Sequence, residues 1–152
     1  MNKSRQQQAR SKALAILLYR PRTKKELTDK LLQAGFVLEE VEDAIAYAES
    51  FHYIDDKVFT ENYIYSTHSN RSRQRLRFDL KKKGVPDDII TECLEHYNGE
   101  SLALKKAFEK KLNGRDLLNM DQKEREKIIA FLIRRGFQYS DVLNLLDNLK
   151  EV

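Results

Sequence analysis

The chain has 152 residues, with one cysteine, two prolines, five glycines and no tryptophan. Each shortage excludes something. Cys93 stands alone, so no intramolecular disulfide can form and nothing calls for an oxidising compartment. With only Pro21 and Pro86 as helix breakers, the long stretches between them are rich in Leu, Lys, Glu, Ala, Arg and Gln, which favour helices. No apolar run approaches the roughly 18 residues needed to span a bilayer. The opening MNKSRQQQARSK has no apolar stretch of the kind a signal peptide carries. The expectation is an all-α, cytoplasmic protein without membrane association.

Signatures of catalysis are also missing. His52, His68 and His96 follow no metal-ligand spacing, and there is no glycine-rich phosphate loop, HExxH, GxSxG or paired-Cys site. Cys93 reads as a small core residue. Asp55 and Asp56 are adjacent acids, but helix capping is a sufficient explanation for them. No enzyme, no metal and no cofactor is expected, and the activity that remains is binding.

Charged residues make up 34% of the chain, which raises the question of disorder. Leu, Ile, Val and Phe nevertheless supply more than a quarter of the residues, above the range of disordered chains. The chain should fold. Its charge is unevenly placed: in RSRQRLRFDLKKKGV the cations Arg71, Arg73, Arg75, Arg77, Lys81, Lys82 and Lys83 face a single acid, Asp79. The whole chain carries a net +4, so the remainder is net negative and the positive excess sits in this one segment.

A repeat organises the rest. Gly35, Gly84 and Gly136 each end a helical pattern. Eight residues before them stand Leu27, Leu76 and Ile128, and four before stand Leu31, Leu80 and Leu132, so each pair shares one helical face. One residue after come Phe36, Val85 and Phe137, and six after come Val41, Ile90 and Val142. At nine and ten after, the pairs are Ala44 and Ile45, Cys93 and Leu94, Leu145 and Leu146. A period near 50 residues implies tandem helical modules. Glycine at these points adopts a left-handed conformation without a Cβ penalty, closing one helix so the next can fold back.

Capping patterns place the boundaries. Thr23 with Glu26 and Asp121 with Glu124 have capping-box spacing. In YIDDKVF, Asp55 at the N-cap puts Ile54 and Phe59 in staple positions, and Asp56 favours the positive helix end. Pro86 suits a first turn. Nine helices follow, near 9–19, 23–34, 39–51, 55–69, 71–83, 86–97, 100–112, 121–135 and 140–150. They form three three-helix repeats, 1–52 with a basic N-terminal tail, 53–98 with the basic helix, and 99–152. Residues 1–8 are expected to fray, and 113–120 to be the longest loop.

On the basic helix, Leu76 and Leu80 mark the buried side. Arg71, Arg75, Phe78 and Lys82 fall opposite, with Arg77 and Lys81 on a flank. Solvation alone can explain such a run, but Asp79 is the only acid within reach, so the charge is expected to be largely uncompensated locally. Phe78 among arginines suits a partner surface or an inter-module contact. Arg134 and Arg135 form a secondary basic site, although cations in a last turn, Lys110 and Lys111 among them, already complement the helix dipole.

YIDDKVFTENYI followed by RSRQRLRFDLKKKGV resembles the central signature of the RecX family, regulators of the RecA recombinase. ALAILLYRPRTKKELTDKLLQAGF and KIIAFLIRRGFQYSDVLNLL resemble its first and third modules, so the likeness runs from about Ala13 to Leu149. The family often has glycine and proline before the basic helix, where this chain reads HSNRSRQ. The resemblance implies tandem three-helix modules in an elongated, curved molecule. It also implies a monomer that lodges in the groove of the RecA filament on single-stranded DNA, limiting its growth and lowering recombinase, ATPase and coprotease activity. Arg71, Arg73, Arg75, Arg77, Lys81 and Lys82, then Arg134 and Arg135, would be the contacts, with weak and unselective binding to single-stranded or duplex DNA. A direct DNA-binding regulator with helix-turn-helix-like modules is the alternative.

Overall fold

The structure, a computed structural model, describes residues 4–150. Among them are nine α-helices, one 3₁₀ turn and no strand, in agreement with the all-α expectation. The helices are α1 (Arg5–Tyr19), α2 (Lys24–Gln33), α3 (Leu38–Ser50), α4 (Asp56–Ser66), α5 (Arg73–Lys82), α6 (Asp87–Glu95), α7 (Glu100–Leu112), α8 (Gln122–Arg134) and α9 (Tyr139–Lys150). No helix among the described residues is long and apolar enough to cross a membrane.

Side-chain caps set most of the helix starts. Thr23 and Glu26 form the expected reciprocal box, each side chain bonding the other's backbone N–H at 3.1 Å. Asp121 accepts the Glu124 amide at 2.8 Å, and Asp55 accepts the amides of Lys57 and Val58 at 3.0 and 3.2 Å. Ile54 before that cap is buried and Phe59 after it is half-buried. Pro86 precedes α6 rather than opening it, and its carbonyl accepts the first intrahelical bond, from Ile90.

Three boundaries differ from the sequence expectation. Helix α1 begins at Arg5 instead of near residue 9, because Ser4 and Gln7 make a capping box of their own; residues 4–8 are therefore ordered, while 1–3 lie outside the described range. Helix α4 stops at Ser66 and α5 starts at Arg73, the chain turning between them through His68 and Ser69, both with left-handed φ (51° and 57°). The 113–120 segment is not wholly a loop: Asp116 caps a 3₁₀ turn, Leu117–Asn119, and both Leu117 and Met120 are buried.

The three marked glycines close their helices alike. Gly35, Gly84 and Gly136 have φ of 96°, 89° and 98°. After each, the next amide reaches back five residues: Phe36 to Leu31, Val85 to Leu80 and Phe137 to Leu132. The glycine amides bond to Leu32, Lys81 and Ile133. This double closure satisfies carbonyls that would otherwise be orphaned at the helix end.

Packing divides the chain into two compact units, Met1–Tyr63 with Leu80–Cys93 and Ile64–Asp79 with Leu94–Val152. In the first, α1, α2 and α3 enclose a core of Ala9, Ala13, Leu27, Leu31, Val41, Ala44, Ile45, Ala48 and Ile54. Alanines on α1 and α3 let those helices approach closely. Arg5 then pairs with Glu40 at 3.2 Å, and Arg10 meets both oxygens of Asp43 at 2.9 Å. The Asp43 and Glu40 carboxyls are held below their usual range, Asp43 chiefly by the Arg10 bonds and Glu40 chiefly by the Val37 amide and then Arg5. In the second unit, α7, α8 and α9 enclose Ala103, Leu104, Phe108, Ile128, Leu132, Phe137, Val142 and Leu146.

Each unit contains one joint of the same chemistry. In the first, the Thr23 hydroxyl, already the α2 cap, also donates to the Lys83 carbonyl at 2.6 Å. The Lys24 amide beside it donates to Asp56 at 2.9 Å, and burial pushes the Asp56 carboxyl up. In the second, the Ser72 hydroxyl accepts the Arg75 amide and donates to the Arg135 carbonyl. In both joints a helix C-terminal carbonyl meets the N-terminus of another helix, an arrangement that also opposes the two dipole ends favourably.

Candidate functional site

The second unit carries a groove of about 880 Å³ whose lining includes Arg71, Arg75, Lys106, Lys110, Arg134 and Arg135. The remaining lining residues are Asn70, Ser72, Ala103, Ala107, Phe131 and Phe137, so no carboxylate faces the cavity. Six cations in one concave lining concentrate positive potential, because the low-dielectric protein wall focuses the field into the opening. Its cations come from the turn and first residues of α5, the second half of α7 and the end of α8.

Local structure presets several of these groups. Arg71 lies just before α5; its carbonyl accepts the Tyr97 hydroxyl at 2.6 Å and its Nη1 pairs with Asp79 at 3.1 Å. Burial pushes the Tyr97 hydroxyl up, which keeps it a proton donor. Arg75 reaches the other Asp79 oxygen at 3.2 Å and stands over the Phe78 ring at 5.5 Å. Arg135 sits 5.0 Å from the centre of Phe131, and Lys111 approaches the same ring at 4.8 Å. Lys106 Nζ donates to the His68 carbonyl at 2.9 Å, tying α7 to the turn before α5.

Of the cations expected to meet a partner, Arg71, Arg75, Arg134 and Arg135 line one groove. Arg73 is different. Its guanidinium bonds the Leu94 and Tyr97 carbonyls, pairs with Glu100 at 2.6 Å, and lies over the Tyr97 ring. The expectation of locally uncompensated charge is therefore corrected: Glu100 and the carbonyls at the end of α6 engage Arg73, Asp79 engages Arg71 and Arg75, and Asp87 holds Lys81 at 3.1 Å. Glu100, Asp87 and the α6 carbonyls lie outside α5, whereas Asp79, on α5 itself, serves two arginines at once. Arg77 is half-buried and stands outside the groove lining, while Lys81 and Lys82 are exposed and belong to the other unit.

Lys106, Lys110 and Phe131 join the groove although the sequence expectation marks only a dipole role for Lys110 and none for the other two. The available signal was the spacing of Ala103, Lys106, Ala107 and Lys110, which places two cations and two small residues on one face of α7. Phe78 is 57% exposed, as its position opposite Leu76 and Leu80 requires.

Other reactive groups offer no competing site. Burial, with Glu61 and Glu92 nearby, pushes the Cys93 thiol up, away from the reactive thiolate. The thiol is half-buried rather than in the core. No group of three or more His, Cys, Asp or Glu among the described residues could hold a metal ion.

Fold and groove together define an all-α protein whose second unit gathers six cations along one groove. Three consecutive family models match the chain, the first, second and third three-helix domains of RecX, at residues 9–47, 55–94 and 102–146. Regulatory protein RecX of Prosthecochloris aestuarii is 32% identical, with 98% of each chain covered. Regulatory protein RecX of Chlorobaculum tepidum is 33% identical, covering 93% of this chain and 88% of the relative. The crystal structure of RecX from Lactobacillus salivarius superposes with a TM-score of 0.83 at 25% identity, covering 97% of this chain and 98% of that one. The chain belongs to the RecX family. It is accordingly a regulatory protein and not an enzyme.

Proposed function

We propose that the protein regulates the RecA recombinase by binding its filament on single-stranded DNA and restraining filament growth, so that recombination, ATP hydrolysis and coprotease activity fall. Membership of the RecX family supports the regulatory role. The observation that carries the contact surface is the groove of the second unit, where Arg71, Arg75, Lys106, Lys110, Arg134 and Arg135 meet with no carboxylate in the lining. A nucleoprotein filament is a repeating anionic target, and successive three-helix domains can add weak contacts to it through effective concentration. In this reading the protein acts as a cytoplasmic monomer. Arg71, Arg75, Arg134 and Arg135 make contact, Arg77, Lys81 and Lys82 add long-range attraction, and Arg73 holds the surface in shape.

The test is ATP hydrolysis by RecA on single-stranded DNA as the protein is titrated in. Turnover and filament length should both fall; values unchanged at saturation overturn the proposal. Direct contact with DNA is the second reading, favoured by Phe131, a ring flanked by Lys111 and Arg135 beside the cationic groove, since aromatic rings with cations suit single strands. Mobility shifts at several salt concentrations separate the two. Tight binding to DNA without RecA, to single strands or selectively to a duplex, favours a DNA-binding regulator, whereas weak, unselective and steeply salt-dependent binding fits the filament reading.

A further inference from the structure

We propose that Asp79, the one acid of the basic segment, is a positioning residue for the groove, required for tight binding of an anionic partner although its own charge opposes that partner. The proposal rests on the reading of the groove as the partner surface.

One carboxylate serves two guanidinium groups. Its Oδ2 accepts from Arg71 Nη1 at 3.1 Å, and its Oδ1 lies 3.2 Å from Arg75 Nε. The Asp79 side chain is 12% exposed, whereas those of Arg71 and Arg75 are 39% and 53% exposed. The acid thus lies beneath, and the cations it holds lie at the surface. Each of these two contacts uses one nitrogen of a guanidinium that has five N–H donors in a planar fork. The fork geometry is what allows bidentate recognition of phosphate or carboxylate.

Without this carboxylate the two arginines share no frame. Arg71 lies in the turn before α5 and Arg75 in its first turn, while Arg73 between them is committed to Leu94, Tyr97 and Glu100. Asp79 gives Arg71 and Arg75 a common anchor, and the Tyr97 hydroxyl fixes the Arg71 backbone. Both forks line the same groove. An arrangement selected only for positive charge has no use for an acid held between two of its arginines. One that must hold two forks in register does.

These two accounts give opposite signs for one substitution. If charge alone matters, Asp79→Asn makes the groove more positive and binding tightens. If orientation matters, the same change frees two long side chains and binding weakens by roughly tenfold, the scale of coupled contacts in one network. Ion pairs with exposed partners contribute little to folding, so the variant should remain folded.

The experiment titrates the full chain into RecA filaments on single-stranded DNA and reads the midpoint of ATPase inhibition at several salt concentrations, with thermal melting of each variant alongside. Asp79→Asn should weaken inhibition about tenfold at unchanged melting temperature. The same change should add nothing further in a chain already carrying Arg71→Ala and Arg75→Ala. Asp79→Glu keeps the charge and moves the carboxylate by one methylene; it should also weaken inhibition, and it serves as the decisive variant if the Asn form melts early. Equal or tighter inhibition by Asp79→Asn overturns the proposal, as does a loss that persists undiminished without the two arginines. A separate variant, Arg134→Glu, reports on the groove itself. If Arg134→Glu and the double alanine form both inhibit like the unaltered chain, the surface is elsewhere and both readings fall. If those two lose inhibition while Asp79→Asn does not, only the positioning role falls.

Discussion

The Ser72 hydroxyl accepts the Arg75 amide at 3.1 Å and donates to the Arg135 carbonyl at 3.0 Å. One buried side chain thus caps α5 and fastens the end of α8 to it, bringing Arg134 and Arg135 to the groove that Arg71 and Arg75 line. Ser72→Ala removes both bonds and leaves the Arg135 carbonyl, in a part-buried joint, short of a donor. It should destabilise the fold by about 2 kcal/mol, whereas Ser72→Thr, which keeps the hydroxyl, should cost clearly less. Denaturant unfolding of the two variants makes the comparison.

Gly84 and Gly136 are constrained twice, Gly35 once. All three have left-handed φ, but a Cβ on Gly84 would meet Lys25 Cβ at 2.4 Å and one on Gly136 would meet Ser72 Oγ at 2.5 Å, while Gly35 faces open space. Gly35→Ala should cost about 1 kcal/mol, from conformation alone. Gly84→Ala and Gly136→Ala should cost more, because the joint beside each must also open. Thermal melts of the three substitutions should rank Gly35→Ala as the mildest.

Arg73 is the basic residue whose loss should damage folding most. Its guanidinium satisfies carbonyls at the end of α6 and pairs with Glu100 at the start of α7. Arg73→Ala should lower stability by about 2 kcal/mol, the range for hydrogen bonds to a charged group. Arg73→Lys should fail to restore it, since an ammonium cannot serve three acceptors in that planar arrangement. Chemical denaturation monitored by circular dichroism checks both variants.

Acid should weaken the first unit through Glu40 and Asp43. Both carboxyls are held below their ordinary range in the folded protein, so the unfolded chain binds protons more readily. Their contribution is complete above the unfolded carboxylate pKa and is lost as pH falls through the folded value. Stability should therefore drop on acidification below the normal carboxylate range, and Asp43→Asn should flatten that drop. Unfolding midpoints measured down the pH scale provide the check.

The repeat was legible because its signals are local. Leu27, Leu76 and Ile128 in one column and Leu31, Leu80 and Leu132 in another are all buried, as one apolar helical face demands. The caps at Thr23, Asp55 and Asp121 also depend on neighbours only two or three residues away. The site was only half legible. Rotation around α5 correctly turned Phe78 and Arg75 outward, but it could not reveal that α6 and α7 return Leu94, Tyr97 and Glu100 to Arg73. Nor could it show α7 bringing Lys106 and Lys110 opposite Arg134 and Arg135, because that meeting is made by tertiary packing. The Thr23 to Lys83 bond, spanning 60 residues, escaped for the same reason.

The groove as partner surface is tested most directly by inhibition of RecA-dependent ATP hydrolysis with the double variant Lys110→Glu/Arg134→Glu, set beside Lys82→Glu. The two groove cations come from α7 and α8, and all three residues are exposed, so the fold should survive each change. We expect the double reversal to shift the inhibition midpoint by at least about tenfold, and Lys82→Glu by roughly twofold or less. Equal inhibition by the double variant and the unaltered chain would contradict the account.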